Sequence, residues 1–221
     1  MPVTYTNRKG RTYFLCQGTT KTGKPRYYFT REPNATLAQS IPEGYEIRES
    51  VNGIVSLPKA RPALLADKEI NAVKTRLHSH PKARRYRVDV KSKQIIIYEC
   101  VGPDLMEWAV KIAADFGMGE AVDGKMARRI QEEERVYAQF TPIMRFTLTD
   151  NVGRLFAAER MCYLGSIDDW IAVAINKPIT KFASEWIPRL GTDKFFELFR
   201  NSRRRRGPTM ASSGLGVTRL Q

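Results

Sequence analysis

The sequence lacks any apolar run approaching the roughly 20 residues that a membrane-spanning helix needs. Its opening residues, Met1-Pro2-Val3-Thr4-Tyr5, hold no apolar stretch of the signal-peptide kind. A soluble, cytoplasmic chain that avoids the membrane is therefore expected. Cysteine is scarce: Cys16, Cys100 and Cys162 are far apart and odd in number, which excludes a dense disulfide scaffold. All three sit in strand-like apolar runs, so free buried thiols are expected. No CxxC spacing supports a metal site. The two histidines, His78 and His80, stand in a turn ended by Pro81 and could ligate a metal only with help from elsewhere. Lys21-Thr22-Gly23-Lys24 lacks the GxxxxGK[ST] spacing of a phosphate-binding loop, and no GxSxG context marks a nucleophilic serine. Neither a cofactor nor a metal is indicated.

What the chain has in excess is positive charge. There are 37 Lys and Arg against 23 Asp and Glu, a net of +14 over 221 residues. The excess is unevenly placed. Residues 1–100 hold 19 basic and 8 acidic residues, residues 101–200 hold 13 and 15, and residues 201–221 hold 5 and none. Solubility alone does not require such an asymmetry, whereas a polyanionic partner does attract it.

The pattern predicts an α+β fold with antiparallel sheets, because hairpins dominate and no strand–helix alternation is sustained. A basic β-rich module is expected over residues 1–101, an α+β module over 102–200 with its boundary at Gly102-Pro103, and a flexible arginine-rich tail over 201–221. Aromatic runs around Tyr13-Phe14 and Tyr27-Tyr28-Phe29 alternate with glycine turns, as successive hairpins do. Residues 33–40 read as a short helix or loop. Residues 45–49 and 54–57 read as strands across a type I′ turn at Asn52-Gly53. A helix is expected over 64–77 with Leu65, Ile70, Val73 and Leu77 inward. A hairpin follows, from Tyr86 to Tyr98. Helices are expected over 104–116, with Leu105, Trp108, Ala109 and Ile112 inward, and over 123–138, with Met126, Ile130 and either Val136 or Tyr137 inward and Glu132 to Glu134 solvated. A hairpin turning at residues 150–153 comes next. Ser166 then reads as the N-cap of a helix running through Trp170 to Ile175. Residues 181–187 and 193–199 close the folded part.

Three features carry candidate chemistry. The first is the N-terminal block of Arg8, Lys9, Arg11, Lys21, Lys24 and Arg26, interleaved with aromatics. Adjacent residues of a strand point to opposite faces. One of Tyr27 and Tyr28 is therefore expected to be free to stack on a base, and Tyr28 is taken as that candidate. The second is a group of six cations within twelve residues, Lys82, Arg84, Arg85, Arg87, Lys91 and Lys93. With the run Arg203 to Arg206 these make three basic clusters, each able to neutralise phosphates. The third is Asp89-Val90-Lys91, a tripeptide that resembles the acidic-x-Lys of Mg²⁺-dependent nucleases of the restriction-enzyme class, although no Pro-Asp precedes it. The leading expectation is a non-catalytic binder of DNA or RNA. Its expected phosphate contacts are Arg8, Lys9, Arg11, Lys21, Lys24, Arg26, Arg84, Arg85, Arg87, Lys91 and Lys93. The alternatives are a protein-interaction subunit, self-associating or docking through an apolar patch on residues 103–200 near Trp108, Trp170 or Trp186, and a nuclease using Asp89 and Lys91.

Overall fold

A computed structural model describes residues 1–32, 36–117, 124–163 and 168–196, with the side chain of Arg135 excepted. The tail from 201, Ser166, Gly119, Asp123 and residues 197–199 lie outside the described residues. The fold is α+β, and its sheets are antiparallel.

The N-terminal sheet is built from β1 (Thr4–Thr6), β2 (Thr12–Thr19), β3 (Pro25–Thr30) and β4 (Thr36–Leu37). β1 and β4 share one edge of β2, and β3 takes the other. The short strand β4 stands where a helix or loop was expected, because Ala38 and Val3 complete its pairing through backbone hydrogen bonds. Gly10 and Gly23 adopt positive φ at the two hairpin turns, as the glycine turns foretell. Leu15 and Cys16 are both fully buried, so both faces of β2 are covered.

The expected strands around Asn52-Gly53 shrink to two residues each, β5 (Arg48–Glu49) and β6 (Val55–Ser56). Their turn is not type I′. Gly53 is at positive φ and Asn52 is not, and Ser50 N–H donates to Ile54 O across a three-residue loop.

The larger sheet has five strands in the order β11-β10-β9-β8-β7. It comprises β7 (Tyr86–Lys91), β8 (Gln94–Cys100), β9 (Phe140–Asp150), β10 (Leu155–Tyr163) and β11 (Asp168–Lys177). β8 pairs with β9, so one sheet runs through strands on both sides of Gly102-Pro103. The run Trp170-Ile171-Ala172-Val173-Ala174-Ile175, expected as helix, is strand β11. Ile171, Val173 and Ile175 are β-branched and favour an extended backbone, and β10 offers an unpaired edge.

One face of this sheet packs under α1 (Asp67–His78) and α4 (Ile179–Trp186). Val73, Leu77, Phe182 and Trp186 meet Ile95, Ile97, Met144, Phe146 and Phe156 in one core. The helical spacing of Ile70, Val73 and Leu77 places them together on α1, as expected. Glu69 closes the first turn of α1 by accepting from Ala66 N–H (2.8 Å), and it is ion-paired with Arg154.

Between β8 and β9 run α2 (Leu105–Asp115) and α3 (Gly124–Tyr137). Within α2 only Ala113 is buried. Trp108, expected inward, is 59% exposed, and Met126 on α3 is 49% exposed. Ion pairs from Arg84 to Asp104 and Glu134, and from Lys82 to Glu107, tie the pair to the segment before β7. Of the thiols, Cys16 is buried while Cys100 and Cys162 are half-buried, all three free. Among the described residues no helix is long and apolar enough to cross a membrane.

Candidate nucleic-acid interface

The arginines of the second basic cluster are bonded to the protein's own acceptors, Arg84 and Arg85 half-buried and Arg87 at the surface. Arg84, in the 3₁₀ turn Ala83–Arg85, is ion-paired with Asp104 and with Glu134 (3.0 Å). Glu134, expected to be solvated, is thereby half-buried. Arg85 donates through Nη2 to the carbonyls of Cys100 and Gly102, each at 2.6 Å. Arg87 donates to the carbonyls of Arg84 (2.8 Å) and Tyr86 (2.7 Å), and its guanidinium lies 5.0 Å from the Phe140 ring centroid. Burial, and then the charge of Arg8, pull the Arg87 guanidinium below its usual range. Burial pushes the neighbouring Cys100 thiol up.

Two cations of the N-terminal block are committed in the same way. Arg8 pairs with Glu49 (2.6 Å) and donates to Ser50 O. Lys9 Nζ donates to Ala138 O (3.0 Å), tying the β1–β2 turn to the end of α3. Arg8, Lys9, Arg84, Arg85 and Arg87 thus each have internal partners.

The others are differently placed. Lys21, Lys24 and Arg26 are exposed around the β2–β3 turn, and Arg26 lies 5.6 Å from the Tyr28 ring. Tyr27 and Tyr28 are both half-buried, and neither is an open platform. Tyr28 reaches back over Gly18, where a Cβ would sit 3.5 Å from its ring. Arg11 is exposed, and its backbone N–H is anchored on Asn7 Oδ1 (2.9 Å).

Lys91 and Lys93 flank Ser92 at the β7–β8 turn and line a groove of about 820 Å³. Its opposite wall brings Lys59 and Arg61 from the connector between β6 and α1. The walls are fastened by backbone-directed bonds. Ser92 Oγ donates to Pro62 O (3.1 Å), Leu64 N–H to Ser92 O (3.0 Å) and Ala60 N–H to Gly44 O (2.8 Å). Lys59, Arg61, Lys91 and Lys93 are all exposed, and among the described residues Glu46 is the one carboxylate lining the groove. A fifth cation of the lining, Arg48, is ion-paired with Asp89, and the other four converge from two chain segments about 30 residues apart. In low-dielectric walls such a concentration focuses a positive potential. Lys59 and Arg61 were not singled out in the sequence. The signal was present in Pro58-Lys59-Ala60-Arg61-Pro62, where prolines keep the chain extended and put the i and i+2 cations on one side.

Asp89 does not stand free beside Lys91. Its carboxylate accepts from Arg48 Nη2 (3.0 Å), which also donates to Val90 O (2.7 Å). Among the described residues no group of three or more His, Cys, Asp or Glu is placed to hold a metal ion. His80 packs edge-on against Tyr86, 5.2 Å between ring centroids, and accepts from Lys82 N–H, while His78 is exposed. Burial lowers the His80 pKa from its ordinary value.

No protein-family model, curated protein or solved structure matches this chain.

Proposed function

We propose that the protein binds nucleic acid without catalysis, holding the phosphate backbone in the groove between the β7–β8 turn and the 58–63 connector. The observation that carries this reading is the set Lys59, Arg61, Lys91 and Lys93 in one groove, where Glu46 is the single carboxylate among the described residues. Phosphate neutralisation by such cations releases counterions and yields affinity without sequence preference. Among the described residues no aromatic side chain lines the groove, and the proposed contact is to phosphate alone. Lys21, Lys24 and Arg26 on the β2–β3 turn add a second set of cations that could reach the same polymer. Lysine acetylation footprinting on the full chain tests the reading. With duplex DNA or RNA bound, Lys59, Lys91 and Lys93 are expected to lose reactivity, and unchanged reactivity at all three would refute the groove as the contact.

A second reading, a protein partner on residues 103–200, draws on the exposure of Trp108 and Phe116 (59% and 76%) at α2. Trp186 is buried and Trp170 lies under Arg145 at 4.4 Å, so neither offers such a surface. If α2 mediates association, Trp108→Ala with Phe116→Ala lowers the solution mass measured by light scattering. A mass that is monomeric in both proteins removes self-association.

A further inference from the structure

A separate cleft lies at the turn between β1 and β2. Its volume is about 300 Å³, at the small end of ligand pockets. Lys9, Arg11 and Tyr13 line one side, Gly53 and Ile54 a second, and Tyr137 and Gln139 at the end of α3 a third. Among the described residues no carboxylate lines it.

The floor is rigidly built. Asn7 is 4% exposed and donates through Nδ2 to Gly53 O (2.6 Å). Its Oδ1 accepts from the backbone N–H groups of Lys9 (3.0 Å) and Arg11 (2.9 Å). This fixes the path of the chain through both cations. Gly53 keeps the floor open. A Cβ there would lie 3.0 Å from Asn7 Nδ2 and 3.3 Å from Lys9 Cδ. Lys9 spends one ammonium proton on Ala138 O and keeps two donors. Burial, then the charges of Arg11 and Arg8, lower the Lys9 pKa. At the rim, Tyr137 is 72% exposed and Ile54 is 64% exposed, giving a ring and an aliphatic surface next to the two cations.

We propose that this cleft is a nucleotide site, in which Lys9 and Arg11 take a phosphate and Tyr137 takes the attached base. The chemistry is a phosphate carrying a flat ring. Two sources supply it, a free mononucleotide or one residue of a single strand. The site shares no lining residue with the groove above and does not depend on the function proposed there.

Titration calorimetry with adenosine monophosphate and fluorescence anisotropy with a labelled ten-nucleotide single strand separate the sources. Each is run on the full chain and on Arg11→Gln and Tyr137→Ala, two exposed positions whose replacement leaves the melting curve in place. A mononucleotide that binds, and weakens about tenfold or more in both variants, identifies a free nucleotide as the ligand. A mononucleotide that does not bind, with strand affinity falling by a similar factor in both variants, identifies a residue of a strand. Loss in Arg11→Gln alone overturns the base-stacking assignment and with it the nucleotide. Unchanged affinity in both variants, or no binding of either ligand, overturns the proposal. The Lys91→Gln, Lys93→Gln double variant leaves mononucleotide binding intact.

Discussion

Replacing Arg84 by Gln separates a structural arginine from a binding one. Arg84 neutralises Asp104 and Glu134, whose side chains are 10% and 20% exposed, while its own is 35% exposed. Asp104 is also the N-cap of α2, accepting from Glu107 N–H at 2.9 Å. Removing the guanidinium strands two shielded carboxylates at the base of both helices. Exposed pairs are worth about 0.2–1 kcal/mol and buried ones broken on one side about 3–5 kcal/mol. With Arg84 about a third open to solvent, screening puts the loss near 2 kcal/mol. For a chain of this size that lowers the melting temperature by about 4–8 °C. Because α2 buries so little apolar surface, the damage should concentrate in α2 and α3. Hydrogen exchange should therefore accelerate there before it does in β7 to β10. Circular-dichroism melting and anisotropy with a labelled duplex, on wild type and Arg84→Gln, supply the readout. The variant is expected to melt earlier and to bind the duplex within about twofold of wild type, a difference under about 0.5 kcal/mol. An unchanged melting curve with a tenfold loss of affinity would refute the assignment of Arg84 to the fold.

Further outcomes follow from the same contacts. Glu159 is held below the ordinary 4.5 by hydrogen bonds from Arg145. At Glu49 and Glu69 burial acts upward, but Arg8 and Arg154 outweigh it, so both also ionise below 4.5. Depressed folded-state values mean stability that is complete above 4.5 and is lost as pH falls through them. Melting temperature should therefore slip as pH falls below 6.5, where His80 is harder to protonate folded than unfolded, and drop further below 4.5. A curve that rises on acidification contradicts this. Phe146 is fully buried and stacks on Phe182 with centroids 6.0 Å apart. Phe146→Ala should cost about 3–5 kcal/mol in urea unfolding, and a loss under about 1 kcal/mol would show that the sheet–helix core does not depend on that ring.

The hairpins were legible because alternating or apolar strand runs are separated by short polar turns, with glycine at positive φ in the β1–β2 and β2–β3 turns. α1 was legible from its spacing. β11 was not, because a short apolar run such as Ile171 to Ile175 suits helix and strand alike until a partner edge is known. Trp108 misled for the same reason, since a helical stripe shows which residues share a face but not whether that face is covered. The basic clusters were legible as charge and not as roles. Arg84 meets Glu134 across 50 positions, and Arg85 meets carbonyls 15 and 17 positions away. Linear proximity of arginines reveals nothing about such acceptors. Lys59 and Arg61 join Lys91 and Lys93 only through the path of the connector. The groove is therefore a product of the fold, although each of its cations is visible in the chain.

The most direct test is the salt dependence of duplex binding by the wild-type chain and a variant carrying Lys59→Gln, Arg61→Gln, Lys91→Gln and Lys93→Gln. Each phosphate neutralised contributes a slope of about −0.9 in log affinity against log salt. If the groove holds the backbone, the slope should become shallower by about 3 to 4, with affinity near physiological salt falling at least a hundredfold, about 2.7 kcal/mol. A slope and affinity equal to wild type would place the phosphate contacts elsewhere and contradict the groove as the binding surface.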